Sequence, residues 1–384
     1  MPFVKAKELR RRFELDGGQK THEHLTEALR EGHLKPEDFS LRDLAEQFCG
    51  PSWLKALDPR SGGVELHEAA GDGVDVTAFR NITGQIVYSK ILEGYQHEAF
   101  VASRLVDTIP TRFDGEKIPG AAKLGDAAEE IHPGTPYPTY GFGEDWIETP
   151  STTKHGFIVP VTREAIFFDR TNLVLARAAE VGEALGLHKE KRLLDVLIGA
   201  TNPFVWNGTA YDTFQAATPW INTLSGNELL DWTDVDAVEQ VFANMLDPHT
   251  GEPILLRGTA VLVAPAYRHA AHRIFQANEI RYTSGATETV VSNPMSGEYR
   301  VEVSRLMYRR VIASGEAAAD AKKWWFAGDF ARAFAYMENW PITVTQAPTN
   351  SEAEFTHDIV VRYKASERGA AAVLDPRYVV KSTG

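Results

Sequence analysis

The stretch VPVTREAIFFDRTNLVLARAAEVGEALGLHKEKRLLDVLIG, Val159 to Gly199, decides the fold. It starts as the end of a strand and passes into one long helix, predicted from about Thr171 to Ile198. Val174, Ala178, Val181 and Leu185 fall on an apolar stripe of helical period, while Arg177, Glu180 and Glu183 lie mostly off it. Gly199 stands where such a helix would end, because glycine takes the left-handed conformation of a C-terminal cap without strain. Roughly 28 residues at 1.5 Å each make a rod of about 40 Å. Gly182 and Gly186 inside it allow a bend or the close approach of another segment.

The residues just upstream have the opposite character. Residues 110–155 carry Pro110, Pro119, Pro133, Pro136, Pro138 and Pro150, with glycines scattered among them. A connection of this length is usually functional or an interaction element. Its WIET end and the following GFIVPV are expected to be the strands of a long hairpin. Within PYPTYGFGEDWIET, Pro136 to Thr149, the rings of Tyr137, Tyr140, Phe142 and Trp146 follow no helical or strand period that would bury them in their own domain. What covers them is the question this segment poses.

Farther out, residues 1 to about 75 read as short charged helices, AKELRRRFEL, HEHLTEALREG and PEDFSLRDLAEQFCG, punctuated by Pro36 and Gly50. They look like an arm or accessory segment, too poor in apolar faces to hold a sizeable core alone. Asp75 to Val106 is expected to be mainly helical. Beyond the long helix, TDVD at Thr233 resembles a capping box, followed by Val235, Val238, Phe242 and Met245 on one side of a helix. TAVLVAP is a buried strand feeding the helix of AYRHAAHRIFQANEI, and residues 280–345 are expected to be mostly strands. In KKWWFAGDFARAFAYMENWPITVTQ, Lys322 to Gln346, the rings of Trp324, Phe326, Phe330, Phe334 and Tyr336 share one strand parity, with Trp325 on the other. Trp324, Trp325, Phe330 and Trp340 are therefore candidates for a sheet core or for an interface, where aromatic rings are enriched. No internal repeat, heptad array or low-complexity tract is present.

Composition narrows the classes of function. The chain has 384 residues, with 40 Lys+Arg against 53 Asp+Glu, a net charge of −13. Its cations are scattered, which disfavours direct nucleic-acid binding as the main task, since such binding is built from Lys and Arg neutralising phosphates. An acidic wall that contains DNA without holding it remains allowed. The first residues lack a signal-peptide core and no apolar run approaches a membrane span. The single Cys49 excludes an intrachain disulfide and a multi-cysteine metal site.

Signatures of catalysis are missing where they should be. GGQKT at Gly17 to Thr21 lacks the full phosphate-loop spacing and follows a charged helix. The Ser-Gly pairs at Ser61, Ser225, Ser284, Ser296 and Ser314 lack the frame of a nucleophile elbow and are turns. His269 and His272 share a helix face but have no third ligand at matching distance, and His22 and His24 are most simply surface residues. The expectation is of no catalytic, cofactor-binding or metal-binding residue, and so of no enzyme and no cofactor.

The order of these parts resembles the tailed-bacteriophage major capsid protein family, over about residues 80–384. The resemblance is sharpest in VPVTREAIFFDRTNLVLARAAEVGEALGLHKEKRLLDVLIG and in FAGDFARAFAYMENWPITVTQ with HDIVVRYKASERGAAAVLDPRYVVKS, where Gly328-Asp329-Phe330 matches the family's GDF turn. It implies an α+β chain with the Hong Kong 97 type of phage capsid fold. Its parts would be an N-terminal arm at 1–80 and an extended loop, a long β-hairpin, at 110–155. A peripheral domain would take 81–109, 156–230 and 351–384 with its spine helix at 171–198, and an axial domain 231–350. The loop would lie across a neighbouring subunit, which would then cover Tyr137, Tyr140, Phe142 and Trp146. Function would be structural: copies arranged as pentamers and hexamers close an icosahedral shell around double-stranded DNA, in the virion, after assembly in the bacterial host cytoplasm. Portal, scaffold, maturation protease and decoration proteins would be its partners, and no membrane is involved. Two other functions compete: an encapsulin-like nanocompartment shell, and a soluble hydrolase using loop carboxylates.

Overall fold

Residue patterns become elements as follows in the computed structural model, which describes residues 5–50, 53, 72–121, 144–247, 251–284, 287–347 and 358–384. The N-terminal helices are α1 (Lys5–Asp16), α2 (Gly18–Arg30) and α3 (Leu41–Cys49), followed by α4 (Asp72–Tyr95) and the single turn α5 (Ala102–Leu105). Strands β1 (Asp107–Pro110), β2 (Lys117–Ala121), β3 (Glu144–Glu148) and β4 (Thr153–Thr162) lead into α6 (Arg163–Phe167) and the long helix α7 (Thr171–Leu197). Then come β5 (Val205–Trp206), β6 (Thr209–Ala210), β7 (Thr223–Ser225), α8 (Trp232–Ala243), β8 (Ala260–Val263), α9 (Arg268–Phe275), β9 (Glu279–Ser284), β10 (Thr287–Ser292) and β11 (Arg300–Val303). The chain closes with α10 (Arg305–Ala313), α11 (Ala318–Ala321), β12 (Trp325–Gly328), α12 (Phe330–Ala333), β13 (Phe334–Gln346), β14 (Ile359–Val373) and β15 (Val379–Thr383). This is a mixed helix-and-sheet architecture. Among the described residues, no helix is long and apolar enough to cross a membrane.

The chain divides into two compact units. The first takes residues 1–98, 154–188 and 340–368, so the N-terminal helices share a core with α4, the first part of α7 and parts of β13 and β14. Buried Leu25, Leu44, Phe48, Phe79, Ile82, Ile86, Val174, Leu185, Ile342 and Tyr363 belong to one apolar cluster. At its centre α4 and α7 cross with almost no space between them. A methyl group added at Gly182 would stand 2.0 Å from the Ile91 carbonyl oxygen, and one at Gly94 would stand 2.4 Å from that of Ala179. Glycine is thus required at Gly182 for approach. Two helix starts are also tied together: Ser40 caps α3 and donates to Asp169 Oδ1 at 2.8 Å, while the Leu41 amide donates to Thr171 Oγ1 at 2.9 Å.

The second unit takes residues 99–153, 189–339 and 369–384. Its five-stranded sheet has the order β11-β8-β12-β15-β7, parallel at both ends and antiparallel between. Alternate residues feed two different clusters. Leu262, Phe326 and Val379 join Leu193, Leu197 and Met307 on one face, and Val261, Val263, Trp325 and Val380 join Val238, Phe242 and Phe275 on the other. Both faces are covered, so a strand's two parities are equally apolar. Arg310 forks onto Asp195 at 2.6 and 2.7 Å, fastening α10 to the end of α7. The sheet of order β1-β13-β14-β4 does not belong to this unit alone.

Several sequence expectations change here. WIET pairs with Lys117–Ala121, antiparallel, with Trp146 opposite Pro119, and not with GFIVPV, which as β4 is the edge strand of the sheet containing β14. The cap of α8 is Asp231, whose carboxylate accepts from the Thr233 amide, with Asp234 reaching back, so the capping box lies two residues upstream of the predicted Thr233. Residues 280–345 contain the helix α10, started by Ser304 accepting from the Met307 amide, as well as strands. The long helix ends at Leu197, and Gly199 follows at φ +74°.

Candidate assembly surfaces

The hairpin stem is built from β2 and β3, with β5 and β6 continuing the sheet. Trp146 is half-buried on it. Its backbone N–H donates to Asn207 Oδ1 at 3.0 Å, and its indole N–H donates to Glu148 Oε1 at 3.2 Å. Lys117 Nζ lies 2.9 Å from the same carboxylate oxygen and 5.1 Å from the Trp146 ring centroid. The Lys117 ammonium, with the indole second, holds the Glu148 carboxyl below its ordinary range. Asp145 accepts from the Trp206 indole at 2.6 Å, and Trp206 stacks edge-on to the buried Trp220. The stem's foot is pinned as well: Asp114 Oδ1 accepts from the Thr152 amide and hydroxyl, and the Asn339 carboxamide donates to the carbonyls of Thr111 and Phe113. Of the four aromatic residues predicted to meet a neighbour, Tyr137, Tyr140 and Phe142 lie outside the described residues, and only Trp146 is placed.

The second aromatic group divides. Trp324, Trp325 and Phe330 are buried in the second unit, and Trp325 donates its indole N–H to the Asn227 carbonyl at 2.8 Å. Trp325 is not an outward ring, because the opposite face of its sheet is also a core. Trp340 belongs to the first unit, half-buried, with Lys154 and Arg368 each over its ring at 5.9 and 5.7 Å. At the GDF turn, Gly328 has φ +155°, and an added methyl group would lie 2.1 Å from the Tyr378 carbonyl oxygen. The Asp329 amide donates to that same carbonyl at 2.9 Å.

Sequence reasoning missed a set of exposed apolar side chains in the first unit. Phe157 and Ile158 are neighbours on β4, and both are exposed, as are Phe167, Phe168 and Leu173 at the α6–α7 junction. Phe168 is 60% exposed. The available signal was the IFF run beside a strand ending in GFIVPV: consecutive apolar residues on an edge strand cannot all face one core. Exposed apolar area of this kind marks contact surfaces. His269 is exposed and His272 partly so, and among the described residues no group of three or more His, Cys, Asp or Glu is placed to hold a metal ion.

These observations define a mixed helix-and-sheet protein whose informative side chains lie on surfaces and in a stapled hairpin. The chain belongs to the phage capsid protein family, whose model matches residues 147–382. Its function is accordingly structural, that of a major capsid protein. No curated protein matches the sequence. Similar solved structures include the capsid of a native GTA particle, at 11% identity and TM-score 0.46, with 75% of this chain and 90% of that one covered. Gordonia phage Cozz is similar at 14% identity and TM-score 0.44, with 74% and 86% covered. The capsid of cyanophage P-SCSP1u is similar at 11% identity and TM-score 0.45, with 72% and 85% covered.

Proposed function

We propose that many copies of this chain, as pentamers and hexamers, close an icosahedral shell of the Hong Kong 97 type around the double-stranded DNA of a tailed phage or prophage. The family match over residues 147–382 carries this reading. The exposed rings of β4 and α6 and the half-buried Trp146 support it, because a subunit surrounded by copies of itself needs apolar surface on more than one side. In this reading residues 1–80 are an arm, 110–155 the extended loop and 231–350 the axial domain. Residues 81–109, 156–230 and 351–384, with α7 as spine, form the peripheral domain. The subunit works without catalysis or a cofactor. Its contacts are individually modest and gain strength by repetition round the shell. Portal, scaffold, maturation protease and decoration proteins would meet it during assembly in the host cytoplasm.

Negative-stain electron microscopy of the purified chain, with mass photometry, tests the reading. Closed shells of roughly tens of nanometres are expected of such repeated contacts. A uniform monomer or dimer that resists every assembly condition would overturn it. Trp146→Ala should leave the circular dichroism of the subunit intact and lower shell yield by about tenfold, as the loss of a well-packed aromatic contact does. An undiminished yield would remove Trp146 from the subunit contacts.

A further inference from the structure

His155 on β4 and His188 near the middle of α7 both belong to the first unit, and their imidazoles are in contact. The ring centroids are 4.3 Å apart and the planes are inclined at 60°. His155 is half-buried and His188 is exposed, so the pair is open to solvent on one side. The two residues are 33 positions apart, counting from 155 to 188, and come from different kinds of element, so the juxtaposition is made by tertiary structure and not by helical spacing. It differs in this from His269 and His272, which are neighbours on one short helix.

The geometry points to a two-histidine site for a divalent transition-metal ion of the Zn²⁺ or Cu²⁺ class, bridging β4 to α7. Imidazole is the nitrogen ligand these ions favour. Two nitrogens bound at about 2.0–2.1 Å on a tetrahedral centre stand about 3.3 Å apart, a separation that rings 4.3 Å apart reach by rotation about their terminal side-chain torsions. Among the described residues no third His, Cys, Asp or Glu completes the set, so water fills the remaining positions, which suits the exposed side of His188. Such a site is of modest affinity, and its effect is mechanical. An ion held by one ligand from each element ties the edge strand to the helix, and stabilises the folded chain because the unfolded chain holds no such preformed pair. Acid releases the ion, since a protonated imidazole cannot ligate.

The test uses the full chain without a histidine tag, stripped with chelator, and probes it with Cu²⁺ and Zn²⁺. Calorimetry should find one saturable site per chain. The electron paramagnetic resonance spectrum of the Cu²⁺ form should carry the signature of two imidazole nitrogens. His155→Ala and His188→Ala should each weaken binding at least about tenfold and reduce the spectrum to fewer nitrogens. His269→Ala should change neither. Zn²⁺ should raise the unfolding temperature of the parent chain and of His269→Ala, but not of the two site variants. Either variant that fails to fold without metal is replaced by His155→Gln or His188→Gln, which keeps polarity and volume. Affinity and spectrum unchanged in both site variants, or binding with no saturation, would overturn the proposal. The outcome is independent of shell formation, since every reading is taken on the unassembled chain.

Discussion

The crossing of α4 with α7 and the stem of the β2–β3 hairpin are both held firmly, by opposite means. At the crossing, Gly182 and Gly94 bring backbone against backbone beside an apolar cluster, with no ion pair across the glycine contact itself among the described residues. At the stem, an ion pair, two indole hydrogen bonds and a carboxylate-capped foot hold a half-exposed tryptophan on the surface. The first arrangement depends on shape and ignores pH and salt. The second depends on charge and responds to both.

The largest effect that would break this contrast is expected at the crossing. Gly182→Ala puts a carbon 2.0 Å from the Ile91 oxygen, so the helices must separate along a packed seam. A loss of about 3 kcal/mol or more is expected in denaturant unfolding, with no change in salt dependence. A loss within measurement error would mean the helices slide freely and the contrast fails. Next comes the stem: Asp145→Ala leaves the Trp206 indole without its acceptor. About 1–2 kcal/mol should be lost locally, visible as faster amide exchange in β3 and β5 with little change in α7. Exchange that rises equally in both regions would show that the stem does not open by itself.

The smallest effect is in acid. The folded-state pKa of Glu148 is lowered, chiefly by Lys117, so its contribution is fully present above the unfolded value near 4.5 and is lost as pH falls through the lower folded value. The Trp146 indole N–H resonance should therefore hold its position down to about pH 4.5 and shift only below it. In Lys117→Met the shift should begin at higher pH. Identical profiles in the two proteins would assign the lowered carboxyl to something other than this ion pair.

The sequence disclosed these two regions to different depths. Helix α7 was legible almost to the residue, because a long apolar stripe and Gly199 are local signals that agree. The close approach at Gly182 was visible as one of two possibilities, since glycine inside a good helix needs a reason. The stem was half legible. WIET looked like a strand, but strand partners are chosen by tertiary contacts, and the many prolines and glycines from Pro119 to Gly143 gave no single turn to fix a register. Helix α10 was obscured because only Met307 and Val311 are buried among three arginines, too thin a stripe to see. Parity alone could not decide between core and interface for Trp325, because it informs only when one face of a sheet is wet. Family membership was legible from the order of the parts and from Gly328-Asp329-Phe330. The exposure of Phe157 and Phe168 was not noticed, because exposure is a property of what fails to pack and no spacing announces it.

Gly328 has a consequence for how the chain tolerates change. In a saturation library selected only for soluble subunits, that position should return glycine alone: any side chain would meet the Tyr378 oxygen and would also have to hold φ +155°. The neighbouring Asp329 would admit the other short capping residues. The same library should return many amino acids at Phe157 and Phe168, whose rings lie open in the subunit. Selecting the library again for assembled shells, and comparing which columns narrow, would separate the residues that make the fold from those that make the particle.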